Sequence, residues 1–374
     1  MMPVKNWNVD FESNINAKQQ PIYENIDLLN EIAKKLASFQ PIASFDKILT
    51  LRQKLANLNE DSFIIQGGDC AEPILNDPTT YGRKTEEFFN EITEILKAKY
   101  KKTIKIARIA GQFAKPRSQK YETINGTTFE VYKGDLINGF EFNKEDRKPD
   151  PLRMIKGYEH AKKIYDLNLD FYTSHEGLLI PYEASLIRQK DNHYYSSSGD
   201  FIWIGNKTRF INSYHIKLFS KVINPIGIKI GPSTTKEEID FIVNKLNPNN
   251  ENNKLIFISR MGVKNIHKKL PSLLKYTQKM NYNIIWICDP LHGNTYKDEN
   301  DIKRRSFNDI ISEVKLFFNI CSDNNILPSG LHLEMTYENV SECVKQNEPN
   351  EEPYLSLCDP RLNKHQTLEL LKSL

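Results

Sequence analysis

The sequence predicts an α/β fold of the (β/α)8 TIM-barrel class, preceded by a short N-terminal helical extension. Three observations carry this. From residue 62 onward, eight short apolar runs alternate with amphipathic helical patterns, the order that builds a parallel sheet. Eight such units occupy roughly the right length for one closed barrel. Nearly every apolar run also ends in charged or metal-capable side chains, as in IIWICDPLHGNT at 284–295. A barrel gathers the C-terminal ends of all its strands at one mouth, whereas an open sheet places such groups near one switch point.

The elements follow in order. Residues 1–21 read as a loosely held arm. Helical spacing of Ile26, Leu29, Ile32 and Leu36 predicts a helix over 22–39, and Ile48, Leu51 and Leu55 predict another over 45–57. Strands ending in polar turns are expected within 62–72, 103–118, 169–179, 200–209, 225–233, 255–262, 284–295 and 330–336. Helices are expected over 81–99, 152–167, 181–190, from near Thr235 with Ser233 or Thr234 as cap, and over 264–280 and 306–321. The Ser-rich run 196–198 reads as a plain loop, and Trp203 as core filler in preference to pocket wall. Residues 1–60 are thus taken as the extension and 61–374 as the catalytic barrel.

Composition excludes several classes. A net charge of +3 over 374 residues gives no nucleic-acid or membrane-surface signal. The first residues, MMPVKNWNVDFESN, lack the apolar core of a signal peptide, and no run approaches a membrane span. Five scattered cysteines do not form a disulfide scaffold, so a reducing cytoplasm is expected.

Two constellations carry chemistry. Cys70, His292, Glu334 and Asp359 offer one metal site. The first three follow strands 1, 7 and 8, which are neighbours in a closed barrel. Thiolate, imidazole and carboxylate donors suit Mn, Fe, Co or Zn. Any one of them alone reads more readily as a buried thiol, a hydrogen-bonded turn residue or an ion-paired acid. The second set is basic: Arg108, Lys115, Arg117, Lys207, Arg209, Lys229 and Arg260 all sit at or just past strand ends. Cations converging on one mouth need anionic partners, and phosphates fit. The plainer alternative pairs some of them with Asp69, Glu72, Glu176 or Glu183.

The motifs QGGDCAE (66–72), RIAGQFAKPRS (108–118), SHEGLLIPYE (174–183), NPIGIKIGP (224–232), SRMG (259–262), CDPLHGNT (288–295), GLHLEMT (330–336) and CDPRLN (358–363) occur in this order. The series resembles that of the type II 3-deoxy-D-arabino-heptulosonate 7-phosphate (DAHP) synthases. The resemblance implies a (β/α)8 barrel that condenses phosphoenolpyruvate with D-erythrose 4-phosphate, the entry step of the shikimate route to aromatic compounds. It implies a divalent metal, manganese foremost with Co, Fe or Zn as alternatives, at Cys70, His292, Glu334 and Asp359. It assigns phosphoenolpyruvate to Arg108, Lys229 and Arg260 with Trp203 nearby, and the aldose phosphate to Lys115, Arg117 and Ser118, with Lys207 close by. Lys229, Arg108 and Glu176 are the expected catalytic residues, with His175 the alternative to Glu176 for proton transfer. A homodimer or homotetramer is usual for the family, and a reversible Cys70–Cys358 disulfide is a further expectation.

Departures are visible. WIGNKTRF (203–210) carries Asn206 where the family has an acid, Lys207 where it has arginine, and Phe210 where it has glutamine. These leave open the same chemistry on another aldose phosphate, such as an amino analogue, or a non-catalytic relative. Only residues 140–167 stand where large members insert a regulatory helix pair, so a short form with weak or absent feedback inhibition is expected.

Overall fold

The computed structural model describes residues 17–74, 77–345 and 352–374. Eight parallel strands close into a barrel: β1 (Ser62–Gly68), β2 (Lys102–Arg108), β3 (Tyr172–Glu176), β4 (Phe201–Ile204), β5 (Ile226–Ile230), β6 (Leu255–Ser259), β7 (Ile285–Cys288) and β8 (Pro328–Glu334). They pair in chain order, and β8 returns to β1. All eight expected strands are present, because a parallel barrel strand is buried on both faces and reads as a short apolar run.

Alternation sorts the side chains. Ile64, Ile104, Ile106, Phe201, Trp203, Ile256, Ile258, Ile285 and Ile287 fill the barrel interior. Phe63, Ile65, Ile202, Ile204, Phe257 and Trp286 face the surrounding helices. Those helices include α1 (Ile26–Ser38), α2 (Phe45–Ala56), α3 (Pro78–Leu96), α4 (Arg153–Asp166), α5 (Ile180–Ser185), α6 (Tyr214–Phe219), α7 (Lys236–Leu246), α8 (Ile266–Lys279), α9 (Phe307–Asp323) and α10 (Lys364–Lys372). Helix α2 closes the barrel at the strands' N-terminal end, its Leu51 and Leu55 packing into the interior cluster.

Several expectations are corrected. The first helix begins at Ile26, where the Asn25 side chain accepts from Leu28 N–H at 2.9 Å, so 22–25 lie outside it. Residues 187–190 are not helical. They form a hairpin with 193–196, its β-branched and aromatic residues favouring extended backbone. The cap of α7 is Thr235, locked with Glu238 in a reciprocal capping box. Two further hairpins, 121–124 with 127–130 and 295–297 with 303–306, had no recognisable strand pattern. Between β2 and β3 stand the first of these, a short helix Lys144–Arg147, and α4. No described helix is long and apolar enough to cross a membrane. Of the expected arm, 1–16 lie outside the described residues, and the rest is tied down rather than loose, as shown below.

Leu51 is fully buried in the barrel floor. Leu51→Ala is therefore expected to lower unfolding free energy by about 2–5 kcal/mol in urea denaturation. A loss below about 1 kcal/mol would contradict the packing described.

Candidate active site

The alternation that fills the barrel with isoleucine continues to the strands' C-terminal ends, where it delivers polar groups instead. Arg108 follows Ile104 and Ile106, Glu176 follows Tyr172 and Ser174, and Glu334 follows His332 at the same two-residue period. Register sets their heights: Arg108 and Glu334 both lie opposite Gly68, one on each side of β1. Gly68 has φ +144°, and a Cβ there would stand 2.8 Å from the Arg108 carbonyl oxygen, so this position requires glycine.

Glu334 is the hub. Its Oε1 accepts from Lys115 Nζ at 2.8 Å and Arg108 Nη2 at 3.1 Å, and lies 3.1 Å from His292 Nε2. Its Oε2 accepts from Arg305 Nη1 at 2.7 Å. Burial opposes its charge, but His292, Lys115, Arg305 and Arg108 outweigh burial and hold the carboxyl well below the usual carboxylate range. Donor atoms of Cys70, Glu334 and Asp359 lie within 4.8 Å of one another. His292 joins this set through Glu334, while its Nδ1 lies 2.7 Å from Asp289. A carboxylate behind an imidazole is the usual way to orient a ligating histidine.

The donor set fits a divalent first-row ion by its chemistry, and it already attracts a cation. The Lys115 ammonium stands 2.7 Å from Cys70 Sγ, 2.8 Å from Glu334 and 3.0 Å from Asp359. Burial disfavours its charge, yet Cys70, Glu334 and Asp359 more than offset that and keep it charged. Cys358 packs against Cys70, and both thiols are free.

Beside this set lies a cavity of about 560 Å³, lined by Lys115, Arg117, Ser118, Glu176, Lys207, Lys229, Arg260, His292 and Asp359. Lys229 pairs with Asp289. Burial pulls the Lys229 ammonium down to about 8, with Asp289 partly restoring it. Arg260 donates to the His292 carbonyl at 3.0 Å, Arg117 to Cys358 Sγ at 3.1 Å, and Lys207 to Ser118 Oγ at 2.7 Å. Among the described residues, no carboxylate forms an ion pair with these last three cations. Glu176 is buried against Gly205, where a Cβ would come within 1.9 Å of its Oε1. That oxygen has no hydrogen-bond partner among the described residues, and burial raises the carboxyl above its ordinary value.

The expected set is therefore brought together with two exceptions and one refinement. Arg209 turns away from the cavity to Asn206, Thr234 and Glu238. His175 is buried on Glu183 at 2.8 Å, behind the site, where Ser198 also binds Glu183. The run 196–198 is hence a buried polar support rather than a plain loop. Arg108 and Trp203 do not line this cavity. Arg108 joins the site through Glu334, and its guanidinium lies 5.2 Å from the Trp203 indole centroid and donates toward His332. Trp203 is thus core filler that also supports a cation. Of the four acids proposed as neutralisers, Glu183, Glu72 and Asp69 are engaged elsewhere, while Glu176 lines the cavity without an ion pair. Glu72 accepts three backbone N–H bonds from residues 110–112, and Asp69 pairs with Arg361.

Sequence reasoning missed Arg305, Lys303, Lys297 and His332 as parts of the site, and gave Asp289, in the turn after β7, no role there. Lys303 pairs with Asp359 at 2.7 Å and lines the cavity. Its hairpin gave no barrel signal. His332 was visible in GLHLEMT at the same parity as Glu334.

Comparison with known proteins agrees with this architecture. The profile of the class-II DAHP synthetase family matches residues 7–169 and 165–374. A phospho-2-dehydro-3-deoxyheptonate aldolase of Streptomyces coelicolor is 33% identical over 420 residues, covering 95% of this chain and 93% of the relative. One from Neurospora crassa is 30% identical over 447 residues, covering 97% and 92%. The structure of phospho-2-dehydro-3-deoxyheptonate aldolase from Francisella tularensis superposes with a TM-score of 0.57 at 16% identity, covering 91% of this chain and 95% of that one, a likeness of fold. Family profile and full-length relatives together show that this chain belongs to the class-II DAHP synthetase family.

Proposed function

We propose that the protein condenses phosphoenolpyruvate with D-erythrose 4-phosphate and water to give DAHP and inorganic phosphate. The observation that carries this beyond family membership is the division of charge at the barrel mouth. One half is an anionic donor set suited to a cation. The other half holds Arg117, Lys207 and Arg260 free of acidic partners beside a cavity of about 560 Å³. Two phosphorylated substrates supply the anions such a surface lacks.

The family implies a divalent metal, and Cys70, His292, Glu334 and Asp359 would hold it, manganese being the ion proposed. When bound, it supplies Lewis-acid polarisation of the aldehyde oxygen. The side chains do the remainder. Lys229, Arg260 and Arg108 hold phosphoenolpyruvate, with Trp203 beside Arg108. Lys115, Arg117, Ser118 and Lys207 hold the aldose phosphate. Fixing both brings C3 of phosphoenolpyruvate to the aldehyde carbon, an orientation effect worth several kcal/mol, on the order of 7 or more for well-aligned groups. As the new C–C bond forms, positive character develops at C2, where water adds. The unpartnered Glu176 carboxylate accepts a proton from the water, the former aldehyde oxygen gains one in becoming a hydroxyl so that no net proton is consumed, and phosphate leaves by cleavage of the C2–O bond. Its raised affinity for protons suits that role.

Purified, manganese-loaded protein given both substrates is expected to release phosphate, and chelator or Cys70→Ala should reduce the rate at least about a hundredfold. Turnover with another aldose phosphate only would make Asn206 and Lys207 the determinants of sugar choice. No turnover with any sugar, in folded and metal-loaded protein, would contradict an enzymatic role.

The pH dependence follows from Lys229. Its charged form binds the anionic substrate, and in the free protein that form is lost as pH rises through about 8. The ratio kcat/KM for phosphoenolpyruvate should therefore fall above that pH, with Lys229→Met removing the limb along with most activity. A flat profile from pH 7 to 9.5 would contradict the assignment.

A further inference from the structure

The four residues 17–20 touch three of the loops that build the cavity. Gln19 Oε1 accepts from the Arg117 N–H at 2.8 Å. Gln20 donates through Nε2 to the Leu178 carbonyl at 2.8 Å and accepts through Oε1 from Ile180 N–H at 3.0 Å, pinning the segment that follows Glu176. Lys18 stands 4.2 Å from the ring centroid of Phe210, which follows β4.

The contact at Arg117 differs from the other two in what it holds. The loop Lys115–Ser118 has no regular structure. Its entry is fixed by Lys115 N–H on the Lys133 carbonyl at 2.8 Å, and its exit by Val131 N–H on the Lys120 carbonyl at 3.1 Å. Pro116 has no N–H to give. From Pro116 to Gln119, the Arg117 bond to Gln19 is the one main-chain hydrogen bond among the described residues. The side-chain oxygen of Gln19 thus serves as the acceptor that a neighbouring strand would otherwise supply. Gln19 itself sits at φ 67°, a left-handed conformation unusual for a residue with a Cβ. The paired bonds of Gln20 hold the segment in that place.

We propose that Gln19 is a positioning residue for the second substrate: it fixes the backbone from which Arg117 and Ser118 reach the aldose phosphate. The substrate named here rests on the function proposed above. The hydrogen bond, and its consequence for the loop, do not. A purely structural role would have the dependence reversed, with the loop anchoring the arm.

The experiment compares full-length wild type, Gln19→Met, which keeps the volume and removes the acceptor, and Gln19→Glu, which keeps an acceptor. Hydrogen exchange is read by mass spectrometry on the peptide containing 115–120. Exchange there should be about tenfold faster in the Met variant and near wild type in the Glu variant, with barrel-strand peptides unchanged. In steady-state kinetics, the Met variant should raise KM for erythrose 4-phosphate about five- to tenfold. Its kcat and its KM for phosphoenolpyruvate should stay within about twofold. Unchanged exchange at 115–120, or faster exchange with both KM values unmoved, would overturn the proposal. If wild type turns over no aldose phosphate, the proposed function fails, and the exchange measurement still decides whether Gln19 holds the loop.

Discussion

The barrel mouth depends on one buried carboxylate. Glu334 is enclosed by Arg108, Lys115 and Arg305, with His292 at its edge. Removing a charge of this kind from water costs several kcal/mol, and only close cations and hydrogen bonds offset it. Each partner is in turn fixed elsewhere. Arg108 rests on Trp203 and His332, Arg305 donates to the Pro360 carbonyl, and Lys115 reaches Cys70 and Asp359. The residues of strands β1, β2 and β8, the hairpin at 303–306 and the segment at 358–361 therefore share one electrostatic centre. Breaking it from any side leaves an uncompensated charge in the barrel.

That centre also separates the two halves of the site. The acids Glu334, Asp359 and Asp289 engage the inner cations, namely Arg108, Lys115, Arg305, Lys229 and Lys303. The outer cations Lys207 and Arg260 instead find neutral partners, a hydroxyl and a carbonyl, and Arg117 donates to Cys358 Sγ, whose proton affinity is lowered chiefly by its hydrogen bond with Cys70 and further by Arg117. Neutral hydrogen bonds orient a cation without discharging it. On the proposed function, the outer surface is thereby left to attract anions and the inner donor set to take a metal ion.

Much of this was legible because the site continues the pattern that builds the fold. A strand buried on both faces must be apolar, so a polar residue at its inward parity stands out. Glu176, Lys229 and Glu334, and Cys70 just past β1, were readable as polar or metal-capable groups where apolar runs end. What was lost lies where no such constraint acts. Arg305 and Lys303 sit on a short hairpin whose sequence, KRRS, has no apolar alternation. Arg209 carries the same charge as its neighbours yet points away, because Asn206 and Thr234 offer it acceptors that composition does not reveal. Residues 187–190, IRQK, were read as the end of a helix because their side chains suit a helical surface; the Asp191–Asn192 turn, with both residues at positive φ, pairs them with 193–196 instead. The grip of residues 17–20 on distant loops depends on contacts about a hundred or more positions away along the chain, beyond any local pattern.

The central claim, that Glu334 organises a cation site at the barrel mouth, is tested most directly by counting bound metal. Equilibrium dialysis of wild type and Glu334→Gln against manganese, with circular dichroism to confirm the barrel, makes the comparison. The account predicts about one tightly held ion per wild-type chain, and affinity at least about a hundredfold weaker in the variant. Equal, tight binding by a folded Glu334→Gln protein would contradict it.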